Sequence, residues 1–200
     1  MYPALRPFVL FILCAFSGGL THAAAQSDST ASRRITPSVF AGVTGVYTGL
    51  DSGRNLSITA GIDVAFRPNS ILHPAIEYRG MYAFDKGGVD SLKNNLGGLK
   101  LSTSYGRLRP YADFLAGRGE TTYANGGYQV PDKLVFYTQS SSNVFSLGGG
   151  IEVFATEHLA LKVDFQIQRY SSPVTVSGNL YSETGTIGLA YVFHLGHTPH

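Results

Sequence analysis

The chain has 200 residues, a formal net charge of +2 and charged side chains at only 14% of positions, well under the quarter usual in soluble domains. So small a net charge excludes the strong basic field of a nucleic-acid binder. No apolar stretch beyond residue 25 approaches the ~20 residues that a membrane-crossing helix needs, which leaves a membrane protein built of strands as the leading class.

The N-terminus comes first. Arg6 is followed by an unbroken apolar run from Phe8 to Phe16 and then by Ala23-Ala24-Ala25. A charged start, a short apolar core and a small-residue site predict a secretory signal peptide over 1–25, cleaved after Ala25. Cys14, the only cysteine, falls inside that run. Ile12-Leu13 before it are not the small residues of a lipoprotein site, so the mature chain is expected to lack disulfides. Residues 26–34 read as a polar segment, 35–194 as one β-barrel domain and 195–200 as a C-terminal tail.

Eight segments then alternate with period two, the signature of a strand with one apolar and one polar face. The first, about 35–47, places Ile35, Val39, Val43 and Tyr47 on one face, with Phe40 intruding on the other. The second, 56–67, sets Leu56, Ile58, Ile62, Val64 and Phe66 against Ser57, Thr59, Asp63 and Arg67. The third, 72–84, opposes Ile76, Tyr78, Tyr82 and Phe84 to Glu77, Arg79 and Met81. The fourth (95–105) and fifth (109–117) are weaker, because Leu96 and Leu115 fall on the polar side. The sixth opposes Phe145, Leu147, Ile151 and Val153 to Ser146, Gly148, Gly150 and Glu152. The seventh opposes Leu159, Leu161, Val163, Phe165 and Ile167 to Lys162, Asp164, Gln166 and Gln168. The eighth opposes Ile187, Leu189, Tyr191 and Phe193 to Thr184, Thr186, Gly188 and Ala190.

The connections alternate in length. Tight turns are expected at 68–70, 106–108 and 155–158, and longer loops at 50–54, 85–92, 118–143 and 171–183. Short turns at one end and long loops at the other predict an all-β, eight-stranded antiparallel up-and-down transmembrane barrel, with periplasmic turns and extracellular loops. Pro37, Pro74 and Pro110 all sit near the expected periplasmic ends, where a missing ladder donor does least harm. Tyr47, Tyr82 and Phe84 would form an outer aromatic belt; Phe66, Tyr105 and Phe193 would form the periplasmic one.

The polar face collects Asp63, Arg67, Glu77, Arg79, Lys100, Arg109, Asp113, Glu152, Lys162 and Asp164, whereas only Arg169 falls on the apolar face. A soluble barrel of the lipocalin kind would turn its apolar face inward. The charges are therefore expected inside, as a paired network filling a lumen only just wide enough for side chains. Arg118 and Arg169 are expected at the outer rim, where lipopolysaccharide phosphates would meet them, because guanidinium suits phosphate.

Near the C-terminus, Thr186-Ile187-Gly188-Leu189-Ala190-Tyr191-Val192-Phe193 resembles the β-signal of outer-membrane proteins, carried by Thr186, Gly188, Tyr191 and Phe193. Leu108-Arg109-Pro110-Tyr111, and Gly148 to Val153 ahead of Thr156 to Leu161, resemble the small OmpA/OmpX-type outer-membrane barrel family. The resemblance spans nearly the whole mature chain. It implies insertion into a Gram-negative cell outer membrane by the barrel assembly machinery.

Catalytic chemistry is not expected. The mature histidines His73, His158, His194, His197 and His200 lie near no serine on a lipid-facing stretch, and the His-x-Ser motif of lipid A deacylases is absent. No cofactor or metal is expected, and the spaced histidines at 194, 197 and 200 read as a solvated tail. The expected function is a structural or surface-interaction role with outer-membrane lipid and lipopolysaccharide as surroundings. A small pore and a lipid-modifying enzyme are the alternatives.

Overall fold

A computed structural model describes residues 35–66, 71–129 and 135–193. The expected signal peptide, the segment 26–34, Arg67, and His194, His197 and His200 lie outside the described residues, as does the tail 195–200. Eight long strands are present: β1 (Ile35–Tyr47), β2 (Arg54–Phe66), β3 (Leu72–Asp85), β4 (Asp90–Thr103), β5 (Leu108–Tyr123), β8 (Gln139–Phe154), β9 (Leu159–Ser171) and β10 (Asn179–Val192). Between β5 and β8 lies a two-residue ladder of β6 (Tyr128–Gln129) and β7 (Phe136–Tyr137). The long strands close into one antiparallel barrel in the order β1-β10-β9-β8-β5-β4-β3-β2. Each pairs with its neighbours along the chain, and β1 seals against β10.

Alternation fixes which side chain goes where. Outward residues such as Ile58, Ile76, Phe114, Leu147, Phe165 and Ile187 stand exposed, while their sequence neighbours Thr59, Glu77, Asp113, Ser146, Asp164 and Thr186 are buried. A continuous apolar outer band of this extent marks a lipid-facing surface. Connections at one end are short, as in Ser104–Arg107 and Ala155–His158; this is the turn end. The other is the loop end.

Three expectations need correction. The strands run further toward the loop end than the alternation indicated: β5 continues to Tyr123 and β8 starts at Gln139, so both ends of 118–143 are ladder and the connection shortens to 124–138. The reason is that Gly119-Glu120-Thr121-Thr122 and Ser140-Ser141-Ser142 carry no apolar alternation, although their backbone pairing continues. In consequence Arg169 is not alone among outward charges. Lys93, Arg118, Glu120 and Glu183 also face outward, all on the loop-end extensions above the apolar band. Arg118 itself lies inside β5, opposite Asn143, and not at a strand end.

Phe40, Leu96 and Leu115 do not break the register; they fill the interior. Phe40 pairs directly opposite Gly61, and a Cβ on Gly61 would strike the Phe40 ring. Tyr111 lies over its partner Gly150 in the same way. A bulky ring can enter so narrow a lumen because the residue facing it has no side chain.

Candidate functional site

The interior changes chemistry from the turn end to the loop end. Nearest the turn end is an ionic layer. Arg79 on β3 donates from Nε to Glu77 Oε1 at 2.7 Å, from Nη1 to Asp164 Oδ1 at 2.8 Å and from Nη2 to Asp113 Oδ2 at 3.2 Å. Lys100 on β4 donates to Glu152 Oε1 at 2.6 Å and to Asp63 Oδ2 at 3.3 Å. Lys162 on β9 stands 3.6 Å from Glu77 Oε2 and 3.9 Å from Glu152 Oε1. Arg109 reaches Glu152 Oε2 at 3.6 Å. The structure thus brings together Asp63, Glu77, Arg79, Lys100, Asp113, Glu152, Lys162 and Asp164, all buried, with Arg109 at the edge. Arg67 lies outside the described residues.

Uncompensated ions in such a place would cost several kcal/mol each, so the neutral partners matter. The Tyr111 hydroxyl donates to Asp164 Oδ2 at 2.6 Å, and Gln166 Nε2 donates to Asp113 Oδ2 at 3.0 Å. The ammonium groups of Lys100 and Lys162 lie 4.4 and 4.7 Å from the Tyr111 ring centre. Sequence reasoning placed these charges on one face but missed the rings among them. Phe40 looked like a fault in register, and Tyr111 was read only as part of a family resemblance.

Toward the loop end a polar belt follows. Thr44 shares hydroxyl hydrogen bonds with Thr59 at 2.6 Å and Thr186 at 2.8 Å, and Asn94 bonds Gln168 and Tyr170. Interleaved with it, and reaching on to the loop end, is an apolar septum, whose Met81 pairs with both Thr59 and Asn94. Val46, Leu50, Met81, Leu92, Leu96, Leu115, Val144, Tyr170, Val174 and Leu180 form one buried cluster. Leu50 and Val174 come from loops and the others from every long strand except β2, so the cluster reaches across the lumen. Its signal in the sequence was Leu96 and Leu115 on the polar face.

The loop end is tied together by acidic side chains. The Thr48 hydroxyl donates to Asp90 Oδ1 at 2.6 Å, and Tyr128 donates to Asp51 Oδ2 at 2.5 Å. Asp90 is buried above the apolar band, and its Oδ2 has no hydrogen-bond partner among the described residues. Burial pushes its carboxyl up to about 6; the Thr48 hydroxyl opposes this shift and Asp51 adds to it. On the outer wall Arg118 donates from Nη1 to Asn143 Oδ1 at 3.0 Å, and Arg169 from Nε to Asn179 Oδ1 at 2.9 Å. Lys93 and Glu120 pair at 2.6 Å.

The β-signal residues divide between the two faces. Thr186 faces the lumen, while Tyr191 and Phe193 face outward with their rings edge-to-face at 5.1 Å. Gly188 is paired with Gly42 across the seam that closes the barrel, where a Cβ would run into the β1 backbone. Among the described residues, no cluster of three His, Cys, Asp or Glu side chains is placed to hold a metal ion.

No family model matches this chain, and no curated protein matches it. Solved structures do. Neisserial surface protein A aligns with a TM-score of 0.51 at 14% identity, over 80% of this chain and 98% of its own. Ail, the attachment invasion locus protein of Yersinia pestis, solved in complex with the heparin analogue sucrose octasulfate, aligns with a TM-score of 0.51 at 12% identity, over 80% of this chain and all of its own, 100%. The fold is that of the small eight-stranded outer-membrane β-barrels.

Proposed function

We propose that this protein is an integral outer-membrane barrel with a sealed interior, acting through its loop end as a surface-interaction protein and not as a pore. The observation that carries the reading is the apolar septum stacked on the ionic layer. An ion entering from either end would have to displace both a packed hydrophobic cluster and a compensated set of charges. Both costs run to several kcal/mol.

In this reading the turn end faces the periplasm and the loop end the exterior. Residues 1–25 direct export, and the barrel assembly machinery reads Thr186, Gly188, Tyr191 and Phe193. The charges from Asp63 to Asp164 brace the wall from inside. Lipopolysaccharide surrounds the outer wall where Arg118 and Arg169 face outward.

Planar-bilayer conductance of the refolded mature chain tests it, with a heat-modifiability gel to verify folding. Silence is expected. Discrete, stable channels from a folded barrel would overturn the sealed interior and establish the pore alternative. A lipid A mass spectrum altered by expression of the chain would establish the enzymatic one.

A further inference from the structure

The barrel wall is incomplete on one side at the loop end. The β5–β8 ladder continues to Thr122 opposite Gln139, but the β8–β9 ladder begins only at Val144 opposite Tyr170. Over residues 139–143, β8 therefore has no strand partner on its β9 side among the described residues. The chain that could have paired there turns away instead: after Ser171 it folds into a compact loop closed by Ser172 N–H to the Gly178 carbonyl at 2.9 Å and Gly178 N–H to the Thr175 carbonyl at 3.0 Å.

Between that free edge and the loop lies an open groove of about 510 Å³. Its outward wall carries Arg118, Ser141, Asn143 and Ser171, while Ser140 and Ser142 line it from the lumen side of β8, with no carboxylate among the described residues that line it. Arg118 uses one nitrogen on Asn143, which leaves the rest of its guanidinium without a protein partner among the described residues. Arg169 faces the same way from β9, opposite Phe145, two residues along β8 from the Asn143 that Arg118 faces. Strand spacing and rise put the two arginine backbones about 12 Å apart.

The chemistry of the groove selects its ligand. Serine hydroxyls and an unpaired strand edge offer closely spaced donors and acceptors, which match a polyhydroxylated molecule. An unshared guanidinium fork matches a phosphate. A peptide added as a strand would want side-chain pockets at alternate positions for specificity, and the side chains here are serines. We propose that this groove binds a phosphorylated saccharide, with Arg118 holding the phosphate and Ser141, Ser171 and the open β8 edge reading the sugar hydroxyls. The proposal rests on the reading that the loop end faces the exterior. The saccharide is then either the headgroup of lipopolysaccharide in the same leaflet or a free sugar phosphate from outside.

The test uses the refolded mature chain in nanodiscs, titrated with lipopolysaccharide, with phosphatase-treated lipopolysaccharide and with glucose 1-phosphate. Binding that depends on phosphate and weakens at least about tenfold in Arg118→Gln is expected. Which of the two phosphorylated probes binds identifies the source. Arg118→Lys, which keeps the charge but loses the fork, should fall between wild type and Arg118→Gln, and it carries the test if Arg118→Gln fails the heat-modifiability check. Equal binding by wild type and variants overturns the proposal, as does equal binding of the dephosphorylated lipid. Protection of the 139–143 amides by an added peptide, with no saccharide binding, also overturns it and assigns the edge to strand addition. Conductance is read separately, so a silent barrel that binds no saccharide refutes the groove alone. A conducting barrel that binds it refutes only the sealed interior.

Discussion

The Lys162 ammonium lies 3.8 Å from the centre of the Phe40 ring, a contact from β9 to β1 over the inner face of β10. Lys162 Nζ is buried and makes no hydrogen bond among the described residues, so the Phe40 and Tyr111 ring faces and two carboxylates beyond hydrogen-bonding range are what stabilise its charge. A desolvated cation–π contact of this kind contributes about 2 kcal/mol. Phe40→Ala should therefore cost at least the ~3–5 kcal/mol typical of a buried Phe→Ala change. Phe40→Leu should recover packing but not the cation contact. Urea unfolding in lipid vesicles checks the order; Phe40→Leu equal to wild type would show that the contact contributes nothing.

Arg79 is the hub of the ionic layer, because Glu77, Asp113 and Asp164 all converge on its guanidinium. Arg79→Met leaves three carboxylates facing one another without that cation, at a cost of about 3–5 kcal/mol. Removing one spoke, by Asp164→Asn, should cost less, since Glu77 and Asp113 remain. The temperature at which each folded band disappears in a heat-modifiability series gives the ranking, and a larger loss for Asp164→Asn would contradict the hub assignment.

Depth in the membrane is testable along β2. Ile62 faces outward in the apolar band, and Phe66 faces outward at the turn end. A lysine near the bilayer midplane costs about 2–4 kcal/mol and near the interface about 0–1. Ile62→Lys should accordingly destabilise the folded barrel more than Phe66→Lys in the same unfolding assay. Equal costs would mean that β2 does not cross lipid in this register.

The Asp90 contact with Thr48 should be sensitive to pH. An acid whose folded value is raised to about 6, from about 3.9 in an unfolded chain, keeps its proton in the fold after the unfolded chain has lost it. Its ionisation therefore weakens the fold, and its contribution is lost as pH rises from about 4 to about 6. Amide exchange in loop 48–53, corrected for intrinsic rate, should show more protection at pH 4.5 than at pH 7.5. Asp90→Asn should flatten that difference. Greater protection of the wild-type loop at the higher pH would refute the assignment.

Strand number, closure and the inward or outward sense of the long strands were legible in the sequence, because a period-two pattern cannot shift by one residue without turning every side chain over. The same rule put Glu77 and Arg79 on the face opposite Tyr78. Three things depended on the tertiary structure. The loop-end extensions of β5 and β8 carry serine, threonine and glycine, and their pairing is decided by backbone hydrogen bonds that leave no hydropathy signal. Phe40, Leu96 and Leu115 looked like errors on a polar face; a closed lumen has a dry half as well as a charged one, and that division appears only when eight strands face one another. Which cation meets which carboxylate, and where β8 is left without a partner, follow from register around the ring. Alternation within one strand cannot encode the stagger between strands.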